Sequence, residues 1–336
     1  MTTESSESGS ARVAAWDAPV LQSIEPVIPA TQLVTTDDDA IETVARWMAW
    51  EEFPSAAAEP TTVDPEAVNA AIDYSLVTTA INFAYTDFTT GVPYAFEENG
   101  ELYVDAEALF LRFDQAIASG VPLLDGAYLA TVTADDLGNV LHGPVPIPML
   151  DERAEVLNGI GRILVDRYDG HFHVFVRSCA PACFADGDGL LERLVAEFPR
   201  FDDSSVLYGQ PIKLYKLVQL GVWTLHRLGL VSLGDLDRLT AFPDYIVPAA
   251  LRVLGIFDYT PELAATIDEG REVPGGSDAE NELRAHTIYA TALLTDAINR
   301  IRPADLRIVV PQLDYRLWKA FHAHIRPHHL TRTTMY

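Results

Sequence analysis

Two acids stand where a carboxylate is expensive. Asp244 lies in Phe242-Pro243-Asp244-Tyr245-Ile246-Val247-Pro248, and Asp314 in Val309-Val310-Pro311-Gln312-Leu313-Asp314-Tyr315-Arg316-Leu317-Trp318. A carboxylate among aromatic and aliphatic neighbours is costly unless it is paired, caps a helix or is put to chemical use. The prolines around Asp244 stiffen its backbone, and Pro248 suits the opening of a helix just beyond it. A helix cap or a buried ion pair is the ordinary role of either acid alone. Together, with a basic chain end a few residues beyond one of them, they point to a site.

That basic end reverses the trend of the chain. Basic side chains number 23 and acidic ones 49, so the formal charge is 23 − 49 = −26. The only lysines are Lys213, Lys216 and Lys319, and from Arg302 onward Arg302, Arg307, Arg316, Lys319, Arg326 and Arg332 face only Asp305 and Asp314. Arginine and histidine present charged donors to phosphate oxygens, so this stretch suits a phosphate monoester. The alternative is that it docks on the acidic body and neutralises it. A surface this acidic repels phosphate backbones, which excludes a generic nucleic-acid binder.

A metal reading attaches to His171-x-His173-x5-Cys179-x3-Cys183, but these intervals match no usual structural zinc site. Surface histidines beside two free thiols, with no metal, is the expectation. The chain has no GxGxxG, Walker loop, HExxH or GxSxG. Dinucleotide, nucleoside triphosphate, zinc-protease and esterase readings therefore lack their motifs, and no cofactor is expected.

Helices must position these residues. Asp37–Asp39 suits a helix N-terminus ahead of Ile41, Val44, Ala45 and Met48, and a second helix is predicted from Asp64 through Ala80 with Pro65 in its first turn. Further helices are predicted over 105–118, 151–168, 188–198, 213–229, 234–241, 248–255, 261–270 and 278–301. The last has Ser277-x-x-Glu280 as a capping box and Leu283, Ala290, Leu294, Ala297 and Ile301 along one face. Glu98-Asn99-Gly100 between aromatic runs reads as a hairpin within 91–104, the one clear β element. MTTESSESGS has neither a basic n-region nor an apolar run, so residues 1–15 read as a disordered tail. The most apolar helical stretch is interrupted by Lys216, His226 and Arg227, so no membrane span is expected. At 336 residues and 49 % apolar content, residues 16–336 are expected to form one helix-rich, mainly α domain with a small β annex. Two cysteines make no disulfide framework, which suits a cytoplasmic monomer with reduced thiols.

Eight blocks then carry a resemblance. Phe242–Tyr259 (FPDYIVPAALRVLGIFDY), Leu313–Trp318 (LDYRLW) and Pro327–Tyr336 (PHHLTRTTMY) resemble signature blocks of the queuosine salvage protein family, the queuosine 5′-phosphate N-glycosylase/hydrolases. Thr79–Tyr85, Ala127–Thr133, Glu152–Leu164, Leu214–Lys216 and Asn281–Tyr289 agree in order. The resemblance implies a helical fold similar to helix-hairpin-helix DNA glycosylases. It also implies hydrolysis of the N-glycosidic bond of queuosine 5′-phosphate, releasing queuine and ribose 5-phosphate for salvage into tRNA modification.

That reaction builds positive charge on the ribose, so a carboxylate beneath the ring must stabilise it, attack it or activate water. The family's FPDY-type block assigns this role to Asp244. Asp314 suits the N1–H and N2–H edge of a guanine-like base, with Phe242 and Tyr315 offering ring faces. Lys216, His329 and Arg332 are the candidates for the 5′-phosphate, and Trp50 is a candidate stacking residue or an ordinary core aromatic. The chain departs from the family pattern at Lys319, Ile246, Leu330 and Trp50. Two other readings compete: a non-enzymatic binder of a modified nucleobase, and a DNA repair glycosylase, for which the charge is poor provision.

Overall fold

Several helices start where a side chain accepts a backbone N–H that the helix end leaves unpaired. The computed structural model describes residues 12–56, 64–322 and 327–336. In chain order the described residues form α1 (Pro19–Ile24), β1 (Val34–Thr36), α2 (Asp38–Met48), α3 (Pro65–Ala80), β2 (Ala95–Glu98), β3 (Glu101–Val104), α4 (Ala106–Ala118), α5 (Gly126–Leu129), α6 (Ala134–Val140) and α7 (Leu150–Arg167). They continue with α8 (Phe172–Ser178), α9 (Leu190–Glu197), β4 (Ser204–Leu207), β5 (Gln210–Lys213), α10 (Lys216–Arg227), α11 (Ile246–Val253), β6 (Phe257–Tyr259), α12 (Pro261–Asp268), α13 (Asp278–Ile301) and α14 (Val310–Phe321). The chain is mainly α, as its sequence leads one to expect.

Asp37 caps α2 by accepting the Ala40 N–H at 2.9 Å, and the helix buries Ile41, Val44, Ala45 and Met48. Pro65 opens α3, where its missing N–H costs nothing. Ser277 caps α13 through the Glu280 N–H, but the other half of the capping box does not close. Glu280 turns instead to the Gly276 N–H at 2.7 Å and to Arg284.

The β content exceeds the one hairpin expected. β2 and β3 do pair across Asn99-Gly100, both at positive φ (54° and 81°), as a tight two-residue hairpin requires. β4 and β5 form a second hairpin across Tyr208-Gly209, at φ 51° and 78°. A tyrosine rarely takes that conformation; here its hydroxyl is tied to the buried Glu282 carboxylate. The third ladder joins β1 to β6, antiparallel, from distant parts of the chain. Three further expectations need correction. The helix predicted over 213–229 gives its first residue to β5 and starts at Lys216. The helix predicted over 234–241 is only a 3-10 turn at Leu236–Arg238, because Asp235 is engaged by the Cys183 and Phe184 N–H groups. Residues 12–15 of the expected tail are seated: Val13 N–H and Trp16 Nε1–H donate to the Asp296 carboxylate at 2.7 and 2.8 Å, and Ala15 is fully buried. Residues 1–11 lie outside the described part.

Two apolar clusters make the core, and α13 borders both. Ala285, Ile288 and Ala292 pack into the larger cluster with Phe83, Phe113 and Phe198. Leu283, Ala290, Leu294 and Ile298 pack into the smaller one with Val44, Leu251 and Leu313. The segment 242–247 runs between them, since Phe242 belongs to the larger cluster and Val247 to the smaller.

Candidate active site

Three helix ends bring Asp244, Asp314 and Lys216 together. Asp244 precedes α11 and its Oδ1 accepts the Ile246 and Val247 N–H groups at 2.8 and 3.0 Å. It is therefore a helix cap, but through one oxygen only. Asp314 sits in the second turn of α14, where its Oδ1 accepts the Phe242 N–H at 2.9 Å and ties that helix to the loop carrying Asp244. Among the described residues nothing donates to the Oδ2 of either acid. Lys216 is the first residue of α10, placed there by Tyr215 in the left-handed region at φ 50°. Asp244, Asp314 and Lys216 are 9 %, 4 % and 6 % exposed.

The three groups act on one another's charge. Burial lowers the Lys216 ammonium to about 8, against which the attraction of Asp244 works. Burial raises the Asp244 carboxyl, opposed by Lys216 and by the two capping N–H groups. Asp314 is held well above the usual carboxylate range, first by burial and then by the charge of Asp244. Among the described residues no carboxylate oxygen lies within 4.0 Å of the Lys216 nitrogen. The trio is near enough to interact electrostatically, yet the ammonium is not neutralised by direct contact. Such a constellation, in dry surroundings, can hold a carboxylate against developing positive charge and keep a second carboxyl protonated for hydrogen bonding.

A buried network fixes the trio. Arg284 of α13 donates to both carboxylate oxygens of Asp203 and, through Nε, to the Pro243 carbonyl at 3.2 Å, next to Asp244. Asp203 also accepts the Lys216 N–H at 3.1 Å. One guanidinium therefore links the loop of Asp244 to the first turn of α10. Glu280, Arg284, Thr287 and Thr291 are all buried on α13. Sequence reasoning passed over Asp203 and Arg284, although that polar stripe at helical spacing within a core helix was a signal available to it.

The remaining candidates are spread around this centre. The Phe242 ring is 4 % exposed and packs in the larger core, while its N–H serves Asp314. The Tyr315 ring stacks on Trp318 and lies beside Arg227, at the end of α10 opposite Lys216. His329 is buried, bonded through Nε2 to the Tyr336 hydroxyl at 3.1 Å, and pushed down to about 3 by burial, so its ring is neutral. The Arg284 guanidinium lies 4.7 Å from the centre of that Tyr336 ring. Arg332 points elsewhere: it pairs with Glu272, lies over the Phe88 ring, and its side chain is 54 % exposed. Trp50 is 80 % exposed, although the adjacent Glu51 pairs with Arg316 of α14. A separate groove of about 410 Å³, lined by Glu152, Glu155, Phe198, Arg200, Thr334 and Met335, contains none of the trio. The two glutamates at that groove disfavour an anionic ligand.

Comparison with known proteins decides the family. The model of the family described as "Queuosine salvage protein" matches residues 62–336. The chain is 33 % identical over 331 residues to the queuosine 5′-phosphate N-glycosylase/hydrolase of Sphaerobacter thermophilus, covering 94 % of this chain and 97 % of that protein. The chain belongs to the queuosine salvage protein family. The mouse protein of the same description is 27 % identical over 287 residues, which span 80 % of this chain and 83 % of the relative. The region matched by the queuosine salvage family contains all three members of the trio as well as Asp203 and Arg284, whereas Trp50 precedes it. Among the described residues no helix is long and apolar enough to cross a membrane.

Proposed function

We propose that this chain hydrolyses the N-glycosidic bond of queuosine 5′-phosphate, giving queuine and ribose 5-phosphate. The observation that carries the reading is the Asp244 carboxylate. It is buried, held by two backbone N–H groups on one oxygen, left by the described residues without a donor on the other, and subject to the charges of Lys216 and Asp314. As the bond from C1′ to the base breaks, positive charge grows on the ribose and Asp244 stabilises it. Water supplies the oxygen that bonds to C1′, and its proton balances the charge left on the departing base. A 7-deazapurine has carbon at the position where a purine offers N7, so protonation there is closed and more of the barrier falls on Asp244.

Asp314, whose carboxyl burial and the Asp244 charge hold well above the usual carboxylate range, faces the base edge. Donors at N1 and N2 of the base favour its ionised form, so binding lowers its raised pKa. Lys216 is the buried cation nearest both acids and holds an anionic part of the substrate. Phe242, Tyr315, Trp50, His329 and Arg332 remain candidates for contacts further from the bond that breaks. A formal charge of −26 supports a free nucleotide as substrate rather than a nucleic acid. The free thiols of Cys179 and Cys183 suit a reducing compartment such as the cytoplasm.

Incubation with queuosine and with its 5′-phosphate, followed by chromatography for the released base, tests the proposal. Asp244→Asn keeps an oxygen to cap α11, so it should fold and lose about 100- to 1,000-fold in kcat. Full activity in that variant removes Asp244 from catalysis. Tight binding of queuine without turnover of either compound replaces the enzyme with a carrier.

A further inference from the structure

Away from the acids, three metal-ligating side chains converge among the described residues. Asp73 projects from α3, while His171 and His173 lie at the start of α8, which packs on α3. The Nδ1 atoms of His171 and His173 lie 3.1 and 2.9 Å from the same oxygen, Asp73 Oδ2. The three ligand atoms are all within 4.8 Å of one another. The other oxygen, Oδ1, accepts the His173 N–H at 2.7 Å, which fixes the orientation of the carboxylate. Asp73 is 3 % exposed, and the His171 side chain, at 38 %, leaves the cluster open to solvent on one side.

We propose that Asp73, His171 and His173 bind a divalent transition-metal ion of the zinc type, with water completing its coordination. Two imidazoles and one carboxylate suit such an ion better than magnesium or calcium, which prefer oxygen ligands. Bonds of about 2.0–2.1 Å to a tetrahedral ion place ligand atoms about 3.3 Å apart. The observed separations therefore need to widen by only about 0.2–0.4 Å to meet that geometry. On binding, each Nδ1 gives its lone pair to the metal and the single proton of each neutral ring resides on Nε2. The ion then clasps α8 to α3. The cysteines of the sequence motif take no part: Cys179 Sγ donates to the Phe175 carbonyl and Cys183 is buried in the core.

Titration of the untagged, chelator-stripped chain with cobalt(II), followed by visible absorption and by the thermal midpoint, tests this. The expected result is one saturable equivalent with a raised midpoint. In His171→Asn, the more exposed ligand is lost and the metal-free midpoint should stay near that of the parent. Loss of a group that only hydrogen-bonds a metal ligand already weakens metal binding about 10- to 100-fold, so this variant should weaken it by at least about tenfold. Equal affinity and stoichiometry in His171→Asn would assign the binding to other histidines and overturn the proposal. Absence of any saturable equivalent in the parent chain would show that the trio is a hydrogen-bonded clasp alone.

Discussion

Replacing Lys216 by methionine probes the charge arrangement around Asp244 through both stability and rate. The ammonium titrates near about 8 instead of 10.5 because burial outweighs the attraction of Asp244. The fall from 10.5 to about 8 corresponds to about 3 kcal/mol against the charged form in the folded chain. Below pH about 8 folded and unfolded chains both hold the proton and the whole penalty applies. Between about 8 and 10.5 the unfolded chain keeps a proton that the folded chain has released, so this contribution to stability rises with pH. Lys216→Met removes the penalty together with the attraction that tempers Asp244. At neutral pH the variant should gain up to about 3 kcal/mol, less that lost attraction. Urea unfolding of both proteins on either side of the window measures the difference, which should shrink as pH rises. In hydrolysis, kcat/KM of the parent enzyme should fall about tenfold per pH unit above about 8. The variant should run at a low level without that limb. A parent profile flat to about pH 9.5, or a limb of unchanged midpoint in Lys216→Met, refutes the reasoning.

Two other perturbations follow from the same geometry. Asp314 has its carboxyl pKa raised by burial and by Asp244, so the stability it contributes falls as pH rises through that raised value. Asp314→Asn should therefore melt higher than the parent at neutral pH while losing substrate affinity; a lower midpoint would contradict the assigned cause. Arg284→Met leaves Asp203 and Glu280 as buried carboxylates without their cation, which should cost about 3–5 kcal/mol in urea unfolding. A change below about 1 kcal/mol would mean that the network does not hold the site.

The sequence disclosed the helices with local signals and hid the arrangements that depend on distant partners. Asp37, Pro65 and Ser277 mark helix starts because capping and proline act within a turn. Asp244 and Asp314 could be singled out as acids in apolar company, but their meeting depends on an N–H bond spanning 72 positions, from Phe242 to Asp314. The β1–β6 ladder was likewise hidden, since three-residue strands carry no period of their own. α14 went unassigned although Pro311 stands in its first turn and the Gln312 side chain reaches back to the Val309 N–H. The left-handed tyrosines at 208 and 215 gave no warning, because what holds Tyr208 is the remote Glu282. In the histidine motif, the neighbours in sequence were the wrong partners: the third member, Asp73, lies 98 positions before His171.

The shared helix α13 has a consequence for how the molecule comes apart. Its inward faces supply both apolar clusters, so stripping one cluster uncovers flanks that the other relies on. Loss of either cluster should therefore weaken the other, and coincident unfolding transitions by two probes would show it. The Asp244 loop crosses the seam between them, with Phe242 in one cluster and Val247 in the other. A half-melted chain would thus lose the anchor of Asp244 outright instead of keeping a loosened version of it.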